Sequence, residues 1–253
     1  MPRYFLEVEY DGTDFKGFQI QENARTVQGE INKALQIRLK IALETVTSSR
    51  TDTGVHAYQN FLHFDTTLQL PENLIYNLNA ILPASIVIRT IYAVPEDAHS
   101  RFDARSRHYR YVITRKKSAF RNHYAWHFPF PLNPDILQNC ADQILGQHDF
   151  CSFSKKNTDV RNFVCEVFLA KWHHDEHILQ FEVQANRFLR GMVRGLVSTM
   201  MHTARGKYSL SDFAQLLHQP KIAQADFSAP GCGLFLEAVN YPAELLHSPL
   251  LRV

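Results

Sequence analysis

The run Ser49-Arg50-Thr51-Asp52-Thr53-Gly54-Val55-His56-Ala57 sets a single carboxylate between an arginine and a glycine, just after a short apolar stretch. A guanidinium beside a carboxylate favours its ionised form, and an ionised, positioned Asp52 can act as a nucleophile. Gly54 lets the backbone bend sharply at that point. The same residues also describe a strand end followed by an ordinary turn, because Asp and Gly dominate turns for local reasons. The rest of the chain has to decide between the two.

A second group is cationic. Helical spacing of Phe188, Leu189, Met192, Val193, Leu196, Val197 and Met200 predicts one long helix from Arg187 to about Ala204. On it Arg187, Arg190 and Arg194 cluster at the edge of the buried face. Arginines there can snorkel to solvent. They can also face a cleft, one pairing with Asp52 and others gripping phosphate through the planar guanidinium fork. A third group is aromatic: Arg107-His108-Tyr109-Arg110-Tyr111 interleaves tyrosines with basic residues on an expected strand. That pattern suits base stacking with phosphate contact, and equally suits tyrosines packed beneath helices.

Other chemistries find no motif. No His-Glu-x-x-His and no Cys/His pair at zinc spacing occurs, and His173, His174 and His177 fall in an expected exposed hairpin turn. A serine-hydrolase elbow, a phosphate-binding P-loop and a dinucleotide fingerprint are missing too. Asp52 has no acidic neighbour of the kind that glycoside cleavage needs; Asp65, Asp97 and Asp103 can approach it only through the fold. Cys140, Cys151, Cys165 and Cys232 are scattered, which points to a reduced, cytoplasmic setting. No apolar run reaches the roughly 18 residues that span a bilayer, and the N-terminus shows no signal-peptide pattern.

Charge is informative in its distribution. The net value is only +2, yet Arg101 to Lys117 holds seven Lys/Arg against one acid, and Arg187 to Lys207 holds five against none. Two basic segments in a nearly neutral chain suit a polyanion. Arg105, Arg107, Arg187 and Arg190 are the RNA-binding candidates within them.

The elements that must position these residues fall into two series. The first is a strand over Arg3 to Tyr10, a helix over Val27 to Leu39 and strands over Glu44 to Arg50 and Tyr58 to Asp65. A helix from Pro71 to before Pro83 and a strand over Ser85 to Val94 complete it. The second is a strand over Arg107 to Arg115 and a helix capped by Asn133 and ended by Gly146. A hairpin over Phe163 to Trp172 and Ile178 to Ala185 follows, then the long helix, a short helix capped by Ser209 and a strand over Leu234 to Tyr241. Loops are expected over Tyr124 to Asn133, Ser154 to Arg161 and Gln219 to Gly233. Each series has the β-α-β-β-α-β order of a ferredoxin-like domain, whose open sheet face is a common RNA platform. The expected fold is therefore α+β: two ferredoxin-like halves, residues 1–105 with Asp52 and residues 106–253 with an extra helix. A shared, mainly antiparallel sheet and a cleft between the halves complete the expectation.

Taken in order, the strings resemble the bacterial tRNA pseudouridine synthase A family over nearly the whole chain. Tyr10-Asp11-Gly12-Thr13 with Gly17-Phe18-Gln19 is similar to the family's N-terminal motif, where Trp is more usual at Phe18. Arg50-Thr51-Asp52 with Gly54-Val55-His56-Ala57 is similar to its catalytic motif, with Ser49 and Thr53 in place of the commoner Gly and Ala. Further matches are Phe102-Asp103-Ala104-Arg105 to Tyr109-Arg110-Tyr111, Leu145-Gly146-Gln147-His148-Asp149-Phe150, Asn186 to Arg194 with Gly191 where His is frequent, and Gly233-Leu234-Phe235-Leu236. The resemblance implies isomerisation of uridine to pseudouridine in the anticodon stem-loop, at tRNA positions 38 to 40. It implies that Asp52 is catalytic, that Tyr109 stacks on the target base, that Arg50 helps to extrude and hold the nucleotide, and that Arg194 pairs with Asp52. It further implies no metal, no organic cofactor and a homodimer that shares one tRNA. A non-catalytic RNA-binding module would explain the basic segments but not the Arg50, Asp52 and Gly54 grouping. A glycoside-cleaving enzyme would need a second carboxylate beside Asp52.

Overall fold

The computed structural model describes residues 1–156 and 160–252. In chain order its elements are β1 (Arg3–Tyr10), α1 (Val27–Leu39), β2 (Val46–Thr47), β3 (His56–Asp65), α2 (Leu74–Ile81), β4 (Ile86–Val94) and β5 (Ser106–Thr114). They continue with β6 (Trp126–His127), α3 (Pro134–Gln143), β7 (Gly146–Asp149), β8 (Val164–His174), β9 (Ile178–Ala185), α4 (Met192–Ala204), α5 (Leu210–His218), β10 (Leu234–Asn240) and β11 (Pro249–Arg252). The class is mixed α and β with mainly antiparallel strand pairing. The chain divides into two compact units, Met1–Arg105 with Leu236–Val253, and Ser106–Phe235.

In the first unit the strands run β11-β4-β1-β3-β10, with β2 on β3. β1 is central because it is apolar on both sides: Phe5, Leu6 and Val8 are fully buried, and Leu6 lies opposite both Leu62 and Ile91. α1 forms where Thr26 accepts the Gly29 amide and buries Val27, Ile31, Ala34 and Leu35. α2 starts at Leu74 rather than Pro71, since the Leu74 amide closes a turn onto the Pro71 carbonyl at 3.0 Å. The strand expected over Glu44 to Arg50 shrinks to the two residues of β2. Beyond it Thr47 Oγ1 folds back onto the Ser49 carbonyl at 3.1 Å, so the chain leaves the sheet ahead of Asp52.

In the second unit the order is β5-β9-β8-β7, with β6 parallel to β5. β6 lies inside the segment expected as a loop, and β7 begins at Gly146, where only the helix stop was foreseen. Asn133 caps α3 by accepting the Asp135 and Ile136 amides, and Ser209 with Asp212 forms the expected capping box on α5. The long helix is shorter than its periodicity predicts. Gly191 has φ 75°, which no right-handed helix contains, so α4 opens at Met192. Tyr111 is fully buried and donates its hydroxyl to the Pro230 carbonyl at 2.7 Å. The Ser154 to Arg161 loop expectation lies partly outside the described residues.

Candidate active-site residues

Asp52 sits on a turn whose backbone is held from several sides within the first unit. The Val55 amide donates to the Asp52 carbonyl at 3.2 Å, with Gly54 at φ 74° as the third residue; that position needs a positive φ, which glycine adopts without strain. The Thr51 carbonyl accepts the Phe18 amide at 3.1 Å, and Thr51 Oγ1 lies 2.8 Å from the Tyr10 hydroxyl. Fully buried Asn60 donates to the Ser49 carbonyl at 2.9 Å and to the Tyr10 hydroxyl at 3.3 Å. Gly12 packs so close that a Cβ on it would lie 2.0 Å from the Val55 carbonyl oxygen. Its amide donates to His56 Nδ1 at 3.1 Å, and the same nitrogen lies 3.0 Å from Asp11 Oδ1. These two contacts need opposite protonation at Nδ1.

The consequence is a division of labour along the segment. Thr51, Val55 and His56 are buried and fix the backbone, whereas Asp52 is half-buried and Arg50 exposed. Both chemistry-bearing side chains are therefore carried on one rigid turn. Tyr10, Gly12 and Asn60 escaped the reading of the Asp52 segment because they come from β1, the loop after it and β3. A buried Asn inside an apolar strand was the available signal.

The remaining sequence candidates, apart from Arg105, belong to the second unit. Tyr109 on β5 is only 8% exposed and meets Phe188 edge-on at a centroid distance of 5.1 Å. Arg107 is equally buried and donates Nη1 to the Asn186 carbonyl at 3.0 Å, a bond that braces β5 against the turn after β9. Arg187 and Arg190 lie in the loop before α4, not on the helix, so the three arginines do not share a helical face. Arg194 is in the first turn of α4, half-buried, and donates Nε to the Ala229 carbonyl at 2.7 Å. Arg105, at the end of the first unit, is exposed.

Sequence reasoning missed the network behind that Arg194 contact. Ser198 Oγ donates to Asp226 Oδ1 at 2.6 Å and lies 2.8 Å from Ser228 Oγ, and the Ser228 amide donates to Asp226 Oδ1 at 2.8 Å. Burial pushes the Asp226 carboxyl up, but these bonds and nearby His202 hold it below the usual range. Ser198 lies four residues after Arg194, on the same helix face, and Asp-x-Ser is turn-forming spacing; together they were the legible trace. Among the described residues no three metal-ligating side chains form a cluster, and no helix is long and apolar enough to cross a membrane.

The chemistry-bearing feature of the first unit is thus a glycine-bent turn that carries a half-buried aspartate two residues after an exposed arginine. The family model for tRNA pseudouridine synthases matches residues 7–103 and 140–242, and the chain belongs to that family. Curated relatives agree. "tRNA pseudouridine synthase A" of Bacteroides fragilis is 40% identical over 96% of this chain and 98% of its own length. The proteins of the same name from Parabacteroides distasonis and Halalkalibacterium halodurans are 38% and 39% identical, over 97% and 92% of this chain and 98% and 90% of theirs. Among solved structures, a Cbf5-Nop10-Gar1 complex aligns at TM-score 0.31 and 9% identity, over 77% of this chain and 54% of that one.

Proposed function

We infer that this chain isomerises uridine to pseudouridine in tRNA, at the anticodon stem-loop. The observation that carries this reading is the full-length match to proteins named tRNA pseudouridine synthase A. The reaction explains why one positioned carboxylate suffices. The target uridine leaves the stack to expose its glycosidic bond. The N1–C1′ bond breaks, the uracil turns, C5 bonds to C1′, and the C5 proton leaves to solvent while N1 takes one up. No atom or electron is gained overall, so no redox group is demanded.

In this reading Asp52 is the catalytic carboxylate, by attack at C1′, addition to C6 or removal of the C2′ proton. Arg50 extrudes and holds the nucleotide, Tyr109 stacks on the base and Arg194 pairs with Asp52. Exposed Arg105 and Arg190, with Arg187, contact RNA phosphates, whereas buried Arg107 acts as a strut. The β-α-β-β-α-β order from β1 to β4 supports reading residues 1–105 as one ferredoxin-like half; for a second half over 106–253 and a cleft between the two, the support is the family resemblance. The same resemblance supports a cytoplasmic homodimer bound to one tRNA.

The test uses unmodified tRNA tritiated at uridine C5. The protein should release tritium, and Asp52→Asn should release none while still binding tRNA. Near-normal release by that variant would sink the assignment of Asp52; no release by the unaltered protein would sink the function.

A further inference from the structure

The first unit contains a cavity of about 210 Å³ beside the catalytic turn, lined by Arg50, Arg101, His99, Phe102 and Gln19 among others. We propose that it holds one nucleotide adjacent to the target uridine, by stacking and phosphate contact. This rests on the RNA-modifying reading above.

Three observations carry the inference. The first is that the wall is built to present an aromatic ring to solvent. Phe102 is 73% exposed, yet its ring packs against His99 at 4.2 Å, with the Arg101 guanidinium 5.7 Å from its centroid. His99 Nδ1 accepts the amides of Arg101 and Phe102 at 3.1 and 3.4 Å, and the His99 amide donates to Asp103 Oδ2 at 2.7 Å. Ser100, between them, is fully buried; its amide donates to His63 Nδ1 at 3.2 Å and its hydroxyl to the Val46 carbonyl at 2.9 Å. A loop fixed this thoroughly around an exposed ring holds a stacking platform at little ordering cost on binding.

The second is the pattern of polar groups. Gln28 already donates to the Thr45 carbonyl and hydroxyl and accepts the Ile20 amide; Thr47 already bonds the Ser49 and Phe61 carbonyls. Their capacity is spent inside the protein. The wall further includes the Arg50 guanidinium, the Gln19 amide and the Phe102 ring; a guanidinium suits a phosphate and a ring suits a base face. The third is position. Arg50 lines the cavity two residues before Asp52, a chain span of at most about 7 Å, so its occupant is an immediate neighbour of the nucleotide at Asp52.

The test couples the ring to a base. Dissociation constants would be measured for unmodified tRNA and for copies with one abasic nucleotide at the target or at a flanking position, against the unaltered protein, Phe102→Ala and Phe102→Tyr. Phe102→Ala should weaken binding of intact tRNA roughly tenfold to a hundredfold, and Phe102→Tyr should restore it. One flanking abasic site should weaken binding to the unaltered protein by a similar factor and to Phe102→Ala hardly at all. Absence of such coupling at every flanking position would overturn the proposal, as would coupling at the target uridine itself. Equal losses for Ala and Tyr would overturn it too. Tritium release from intact tRNA, run alongside, separates the two claims: release without coupling ends only the cavity proposal, and no release ends the functional reading.

Discussion

The turn that carries Asp52 and the helix start that carries Arg194 are held in place by different physics. Around Asp52 the fixing contacts are backbone bonds, a buried amide, two hydroxyls and a glycine pressed against a carbonyl. Arg194 instead leans on the Ala229 carbonyl, which follows a segment pinned by the Asp226 carboxylate through Ser198 and Ser228. One residue is positioned by shape and the other by a charged knot. The first region should therefore fail by steric change, and the second by loss of an acceptor.

The largest effect is expected at Gly12. A Cβ there would meet the Val55 carbonyl oxygen at 2.0 Å, and backbone on both sides leaves no flexible atom to give way. Gly12→Ala should cost at least about 3 kcal/mol, within the range of severe single-site damage, and should remove activity with it. Urea unfolding measures this. A loss below about 1 kcal/mol would mean that the turn yields, and the contrast between shape and charge would collapse.

How much of this was readable beforehand differs in the same way. The Asp52 segment, α1, α3 and the α5 capping box were legible because local sequence specifies them: α1 follows its apolar spacing, and Asn133 and Ser209 cap where caps were expected. The start of α4 was not, since the apolar periodicity runs through Gly191 from Phe188 and periodicity cannot see a positive φ. β6, β7 and β11 have two to four residues each, too few for alternation to register, and exist because a neighbouring strand offers bonds. The Asp226 knot joins residues 28 to 30 positions apart and left only faint local traces. The expected strand over Glu44 to Arg50 shortens to β2 because beyond Thr47 the chain folds back on itself around the coming turn.

A middle-sized effect tests the charged knot. Asp226→Ala leaves the Ser198 hydroxyl and the Ser228 amide without their acceptor, at a cost of about 2 kcal/mol. The Ala229 carbonyl then loses its anchor, so kcat should fall more than tRNA affinity. Asp226→Asn keeps an acceptor oxygen and should recover most of the stability. If Asp226→Ala left kcat untouched, Arg194 would owe nothing to the knot.

The smallest effect concerns pH, and it shows that the first unit is not wholly indifferent to charge. Burial, with Arg3 and His99 nearby, lowers His63 to about 4. A histidine whose folded pKa lies below its unfolded value near 6.5 contributes its full stability above about pH 6.5 and loses it as pH falls toward 4. At pH 5.5 the loss is about 1.4 kcal/mol. The neutral ring is what accepts the Ser100 amide, so the platform that presents Phe102 should soften first. Asp65, held below the usual carboxylate range by Arg3, acts with the same sign but only at more acid pH, since its stabilisation is lost as pH falls from the ordinary carboxylate value toward its depressed folded one. His202, lowered by burial in the second unit, also destabilises toward acid, so the slope of the whole protein does not isolate His63. The comparison of unaltered protein with His63→Gln does. Unfolding free energies between pH 7.5 and 5.5 should fall less steeply in the variant, by about 1 kcal/mol over that span; parallel slopes would remove His63 from the account.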